Sequence, residues 1–188
     1  AALQEASAGE TVVVISSGDA GIYGMAGLVL ELLVKMDKTE RPEFGGVIPG
    51  VSAMSAAAGL LGAPIMHDFV VISLSDLLTP WEVIHERAEL AAKGDFVTAL
   101  YNPRSNKRVG QIKAVQETFL HYRSPETPVG IVTGASRANE STQISTLGDF
   151  TKEDINMFSL VIIGNSKTRS VGDWMITPRG YQKREPGL

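Results

Sequence analysis

The 188-residue chain contains no cysteine, so it forms no disulfide and offers no thiolate to a metal. It has no excess of positive charge either. Its 17 Lys and Arg against 21 Asp and Glu give a formal net charge of −4, whereas nucleic-acid binders usually show a basic balance. No apolar run approaches the length that crosses a bilayer, and no secretory h-region with a cleavage site is visible. Several local signatures are also missing. There is no Gly-Lys-Ser/Thr and no cation within the loop from Gly18 to Gly27, which argues against phosphate binding. The spacing of Gly18, Gly21, Gly24 and Gly27 does not give the dinucleotide fingerprint G-x-G-x-x-G. No G-x-S-x-G occurs, and His67, His85 and His121 lack the spacing of metal ligands. These absences are compatible with a cytoplasmic chain that contacts neither nucleic acid nor membrane.

What remains is an ordinary globular composition, 44% apolar and 20% charged, with one conspicuous loop. Ser16-Ser17-Gly18-Asp19-Ala20-Gly21-Ile22-Tyr23-Gly24 follows the apolar run Val12–Ile15, which reads as a buried parallel strand, and leads into a helix over about 22–36. A glycine-rich turn between strand and helix lets the backbone approach a ligand and aims free N–H groups at it. Asp19 sharpens the reading. A carboxylate there repels phosphate and suits an ammonium or a sulfonium, such as that of S-adenosylmethionine.

Apolar runs alternate with helical patterns along the chain, which predicts α/β architecture. Ala1 to Ala8 reads as the tail of a helix closed by Gly9, and the chain reads as a piece whose upstream part is absent. A short strand at Gly46-Val47-Ile48 turns at Pro49-Gly50 into a helix of small and apolar residues over 51–61, which is expected to be buried on most sides or packed close to a neighbour. A domain junction is placed near 64–68, giving domains 1–66 and 67–188. Strands follow at 69–74, 96–100, 128–132, 142–146 and 160–165, with 174–176 as a last edge strand. Thr79, Pro80 and Glu82 read as a capping box opening a helix that stops at Gly94. Val109, Ile112, Val115 and Phe119 mark the apolar face of the next helix.

Ligands in open α/β sheets collect beyond the carboxyl ends of the strands. Four such ends stand out: Gly18-Asp19, Gly50-Val51-Ser52-Ala53, Tyr101-Asn102-Pro103 and Gly134-Ala135-Ser136. Each alone is also what a structural turn requires. Arg104, Lys107 and Arg108 cluster after one strand end, Arg137 follows another, and Lys167, Arg169 and Arg179 come after the last strands. As a group they suit a substrate with several carboxylates; singly, each reads rather as a solvated surface residue.

The series Ser17-Gly18-Asp19-Ala20-Gly21-Ile22-Tyr23-Gly24, Pro49-Gly50-Val51-Ser52-Ala53, Ile72-Ser73-Leu74-Ser75-Asp76-Leu77-Leu78-Thr79-Pro80-Trp81 and Leu100-Tyr101-Asn102-Pro103-Arg104-Ser105 resembles the tetrapyrrole methylase family. The closing Thr177-Pro178-Arg179-Gly180-Tyr181 fits the same resemblance. It implies two α/β domains with a ligand cleft between them, the N-terminal domain here incomplete, and a homodimer. The family's own first strand and its G-x-G-P-G loop, which borders the tetrapyrrole, have no match and would lie before Ala1. The implied reaction is methyl transfer from S-adenosyl-L-methionine to carbon 17 of a precorrin-3 type tetrapyrrole with ring contraction, in cobalamin biosynthesis, leaving S-adenosyl-L-homocysteine.

The resemblance assigns Gly18, Asp19, Ile22, Tyr23, Gly24, Ser52, Ala53, Tyr101, Asn102, Gly134 and Ala135 to the cofactor. The tetrapyrrole's carboxylates would fall to Arg104, Lys107, Arg108 and Arg137, and no residue receives a catalytic role. Three alternatives stay open: a sibling acting on another precorrin or on uroporphyrinogen, a diphthine synthase-like enzyme, and a non-catalytic fragment that retains the cofactor pocket.

Overall fold

A computed structural model describes residues 1–181, as two compact units, the first Ala1–Ala53 and the second from Met54 onward. The division falls after Ala53, upstream of the junction expected at 64–68.

In the first unit, helix α1 (Ala2–Ser7) ends as expected at Gly9, whose φ of 96° suits a residue without Cβ. The Glu10 amide donates back to the Glu5 carbonyl at 3.2 Å, satisfying an orphan acceptor of the last turn. Helix α2 (Met25–Val34) starts later than predicted, from Gly24. Arg41 donates through Nη2 to the Val34 and Met36 carbonyls at 2.9 and 3.1 Å, placing a cation on the negative end of α2.

The strands expected at 12–16 and 46–48 do not form. Both segments lack regular secondary structure and pair with no ladder among the described residues, and Val13, Ile15 and Ile48 are 78%, 87% and 88% exposed. An apolar run supplies the side chains of a buried strand, yet a strand exists only through hydrogen bonds to a neighbour.

The second unit opens with helix α3 (Ala53–Leu61), assigned to it from Met54 onward, and strand β1 (Gly62–Ala63). Then come β2 (Phe69–Ser73), α4 (Trp81–Lys93), β3 (Val97–Tyr101), α5 (Gln111–Leu120), β4 (Pro128–Thr133) and β5 (Ser141–Thr146). A 3-10 turn at Phe150–Lys152 precedes β6 (Ser159–Ile163), β7 (Arg169–Val171) and β8 (Trp174–Ile176). The main sheet has the order β2-β3-β6-β4-β5, with β2 parallel to β3 and the other neighbours antiparallel.

The inner strands β3, β6 and β4 are buried along nearly their whole length, which explains their continuous apolar sequences. Alternation divides their side chains between two cores. Leu100, Val129, Ile131, Val161 and Ile163 pack with Ile84, Ala88 and Ala91 of α4 and with Ile112, Val115 and Phe119 of α5. Val97, Ala99, Val132, Leu160 and Ile162 pack with Met54, Ala57, Ala58 and Leu61 of α3.

Helix α3 therefore buries one face and exposes Gly59 and Leu60, rather than being enclosed on most sides. Its close approach falls at Gly130, where a Cβ would lie 2.7 Å from Leu61 Cδ2. Strand β5 grades from exposed to half-buried instead of alternating. The smaller sheet has the order β1-β8-β7, so Trp174–Ile176 is its middle strand, not an edge. The capping box also fails. Pro80, at φ −55° and ψ 142°, is itself the N-cap of α4, which sets Thr79 one residue too early, and no side chain caps the helix. Val109 lies ahead of α5 and is exposed.

One buried cation ties the second unit together. Arg123, after α5, donates to the carbonyls of Gly164, Ala91 (3.2 Å) and Phe96 (2.8 Å). Its guanidinium lies 4.7 Å from the Phe119 ring centroid and 3.6 Å from Asp95. Burial pushes its pKa down to about 10, with Asp95 opposing the shift, so it remains charged at neutral pH.

Candidate functional site

In the first unit, the loop after residues 12–16 is organised by Asp19. Its Oδ1 accepts from the Gly21 and Ile22 amides at 2.8 and 3.1 Å, and its Oδ2 accepts from the Gly50 amide at 3.0 Å. These bonds, Gly50 first and Gly21 next, hold the carboxyl below its usual pKa of 3.8. Both carboxylate oxygens are thus engaged by backbone donors, and the group keeps its negative charge. The arrangement shapes the turn, tying Gly21, Ile22 and Gly50 to one side chain.

Close packing of backbone on backbone explains the glycines. A Cβ on Gly24 would lie 2.5 Å from the Ala20 carbonyl oxygen, and one on Gly50 would overlap the Gly18 carbonyl. Gly18 itself has φ 74°. Tyr23, beside Gly24, is held at φ 54° with its side chain exposed. Ser52 is buried and Ala53 begins α3.

In the second unit, β2, β3 and β4 run in one direction, because β6 is antiparallel to both β3 and β4. The carboxyl ends of all three therefore lie on one edge of the sheet, bringing Ser73, Tyr101-Asn102 and Gly134-Ala135 to the same side. The Tyr101 hydroxyl accepts from the Met54 amide at 2.9 Å, taking up one of the free donors at the start of α3. Asn102 adopts φ 51° and donates through Nδ2 to Ser73 Oγ at 3.0 Å. Gly134 and Ser136 both have φ 62°, in a turn closed by the Arg137 amide donating to the Gly134 carbonyl at 2.9 Å.

Four non-glycine residues among those described have positive φ: Tyr23, Asp95, Asn102 and Ser136. All but Asp95 belong to the loops singled out from sequence. Backbone held in this sparsely populated region is concentrated at binding and catalytic sites.

The cations divide into two groups. Arg104, Lys107 and Arg108 follow β3, and Arg137 follows β4, so all four chain positions come after the same sheet edge. Arg108 is only 8% exposed, and its Nε has no partner. Its amide and carbonyl close a turn on Ser105 at 3.2 and 3.0 Å. Arg137 is exposed, with its guanidinium 5.4 Å from the Phe158 ring centroid. Lys167, Arg169 and Arg179 belong instead to the small sheet and its flanking loops. Arg179 lines an open cleft of about 660 Å³ with His67, Asp68 and Phe96, at the start of β2 and thus opposite the ligand-loop edge.

Sequence reasoning gave no role to Ser73 or Arg123. Ser73 lay inside a quoted motif, and a lone Arg after a helix carried no signal.

Comparison with known proteins bears on what these loops hold. The family model for tetrapyrrole (corrin/porphyrin) methylases matches residues 1–151. A cobalt-factor III methyltransferase of Priestia megaterium is 53% identical over 186 residues, covering 97% of this chain and 34% of that protein. A probable cobalt-factor III C(17)-methyltransferase of Salmonella typhimurium is 52% identical over 183 residues, covering 96% of this chain and 74% of that protein. The crystal structure of the methyltransferase CobJ superimposes with a TM-score of 0.87 at 39% identity, over 94% of this chain and 73% of that one. The chain spans about a third of the Priestia protein and about three quarters of the Salmonella one. With a shared fold and a family model covering most of its length, this chain belongs to the tetrapyrrole (corrin/porphyrin) methylase family.

Proposed function

We propose that the chain acts in S-adenosyl-L-methionine-dependent methylation of carbon 17 of a precorrin-3 type tetrapyrrole, with contraction of the ring, in cobalamin biosynthesis. The observation that carries the proposal is identity above 50% to cobalt-factor III methyltransferases along nearly the whole of this chain. Their names favour a cobalt-bearing substrate over a metal-free one.

The residues fit the cofactor. The backbone cradle at Gly18 and Gly50 admits no side chain at Gly50, and no cation between Gly18 and Gly24 competes with a sulfonium. When bound, the cofactor supplies a methyl group on a positively charged sulfur, already activated for transfer to an electron-rich carbon. The protein has to align and desolvate rather than to activate.

In the first unit we assign Gly18, Asp19, Ile22, Tyr23, Gly24, Ser52 and Ala53 to the cofactor, with Asp19 fixing the turn. In the second we assign Tyr101, Asn102, Gly134 and Ala135. Tyr101 steadies the start of α3, and the Asn102 amide supplies a donor and an acceptor. Arg104, Lys107, Arg108 and Arg137 take the substrate's carboxylates. Buried Arg108, with donor capacity unspent at Nε, suits a carboxylate in a partly dry site. A cytoplasmic homodimer completes the proposal, and sedimentation equilibrium tests the dimer.

The decisive experiment supplies methyl-labelled S-adenosylmethionine with cobalt-factor III, metal-free precorrin-3B or uroporphyrinogen III. Label in the first, with the spectrum of a contracted ring, is expected. Label only in uroporphyrinogen makes the chain a sibling methylase. S-adenosylhomocysteine binding without transfer to any substrate makes it a non-catalytic cofactor binder.

A further inference from the structure

The motif Ile72-Ser73-Leu74-Ser75-Asp76 carries no assigned role, yet Ser73 and Leu74 bond directly to the proposed cofactor residues Asn102 and Tyr101. Strands β2 and β3 are parallel neighbours with Ser73 opposite Tyr101, so Asn102 begins one residue beyond the end of the ladder. The Leu74 amide donates to the Tyr101 carbonyl at 2.9 Å, extending the pairing to the point where the chain turns away. At that point Asn102 enters the left-handed region at φ 51°. Its side chain donates through Nδ2 to Ser73 Oγ at 3.0 Å. The same oxygen accepts from the Ser75 amide, two residues on, at 3.2 Å. A hydroxyl held by its own backbone in this way has a fixed rotamer before it meets any partner.

We infer that Ser73 is a positioning residue: it locks the Asn102 carboxamide in the orientation that meets the cofactor. The inference rests on the cofactor reading of Asn102 given above. The bond to Ser73 uses one Nδ2 hydrogen. The second hydrogen and Oδ1 remain to meet a ligand, and their direction is set by the bond to Ser73. Without the hydroxyl, Asn102 keeps its strained backbone but its side chain becomes free to turn about its χ angles. A ligand must then order it on binding.

Two other features of the second unit give no competing account of Ser73. Asp76 bonds to Gln111 Nε2 at 2.9 Å, an exposed tie between the β2 and α5 loops that does not reach Asn102. Tyr101 bonds to the start of α3 through its hydroxyl, a separate restraint on the preceding residue.

The test is a double-mutant cycle read by calorimetry with S-adenosylhomocysteine, on wild type, Ser73→Ala, Asn102→Ala and the double variant. Ser73→Ala is expected to weaken binding roughly three- to tenfold, the range of one lost positioning hydrogen bond. Ser73→Thr, which keeps an acceptor oxygen in a strand that favours branched residues, is expected to restore affinity to within about twofold. In the Asn102→Ala background, Ser73→Ala is expected to cost nothing further, because its target is gone. A merely structural serine would instead weaken both backgrounds alike.

Equal losses in the two backgrounds, or a Ser73→Ala variant that binds as wild type does, overturn the inference. Wild type that binds no S-adenosylhomocysteine overturns the cofactor reading itself, which keeps the two failures apart. Should Ser73→Ala not fold, Ser73→Cys takes its place, near in size and with only a weak sulfur acceptor. A Ser73→Cys variant with wild-type affinity overturns the inference equally.

Discussion

Gly50→Ala is the sharpest perturbation of the proposed cofactor loop, because it adds one carbon and alters nothing else. Gly50 is not among the glycines with positive φ, so alanine meets no backbone strain and the effect is purely steric. The new Cβ would overlap the Gly18 carbonyl oxygen, lie 3.1 Å from its carbon and 3.4 Å from Asp19 Cα. None of these is the end of a flexible side chain, so two backbone segments have to part, by roughly 1 Å to restore van der Waals distance. The Gly50 amide bonds to Asp19 Oδ2 at 3.0 Å. A separation of that size stretches the bond to about 4 Å, beyond hydrogen-bond range. The expected cost is about 1–3 kcal/mol of stability, typical of overpacking. On the proposed cofactor reading, displacing this backbone by about 1 Å should weaken S-adenosylhomocysteine binding at least tenfold. Isothermal calorimetry measures the affinity, and circular dichroism shows that the variant is folded. Gly27→Ala in α2 is the control, since nothing lies within 4 Å of its Cβ. It should bind as wild type does and gain about 0.5–1 kcal/mol from helix propensity. A folded Gly50→Ala variant with affinity within twofold of wild type would refute the cradle.

Arg123→Met leaves the carbonyls of Gly164, Ala91 and Phe96 without their donor. Against the relief of burying a cation, we expect a net loss of about 2–3 kcal/mol, or roughly 5–10 °C in melting temperature. A melting temperature unchanged within a degree would show the guanidinium to be dispensable. Tyr101→Phe removes the acceptor of the Met54 amide and is expected to cost about 1 kcal/mol in urea denaturation; no loss would mean that water replaces the hydroxyl. The Asp19 carboxyl has its pKa lowered by the Gly50 and Gly21 amides, so it binds its proton less readily folded than unfolded. Its contribution is fully present above 3.8 and is lost as pH falls through the lower folded value. Carbon-13 titration should place its midpoint below 3.8, and a midpoint at or above that value removes the three-amide tie.

The second unit was readable because its strands carry their own evidence. Runs such as Leu160-Val161-Ile162-Ile163 are buried on both faces and need no alternation to be recognised. Their partners were not readable. Nothing in β6 says that it inserts between β3 and β4, because pairing is decided by surfaces far apart in sequence. Strands β1 and β7 escaped notice because two or three exposed or half-buried residues have no periodicity to detect. The same limit explains the opposite error at Val12–Ile15, where composition announced a strand that has no partner among the described residues to make it one. A capping motif read as Thr79-Pro80-Trp81-Glu82 failed for a local reason: proline stiffens the backbone at the cap as readily as at the first helical position.

The ligand loops show where sequence reasoning about charge stops short. A carboxylate in a glycine-rich turn was read by its sign, as repelling phosphate and welcoming a sulfonium. The structure gives that charge a nearer use, since three amides converge on Asp19 and consume most of its capacity to accept. Both statements hold at once. The field of an aspartate committed to backbone is not cancelled by neutral donors and still opposes a nearby anion, while its geometry fixes where Gly21, Ile22 and Gly50 present themselves. Asn102 follows the same logic through Ser73. In each case the proposed site residue stands in a loop that the sequence singles out, whereas the residue holding it lies 31 and 29 positions away. Turn chemistry marks the first kind in the sequence itself. The second kind is marked only by the fold, which is why Gly50 and Ser73 become intelligible only when the pairing of the chain is known.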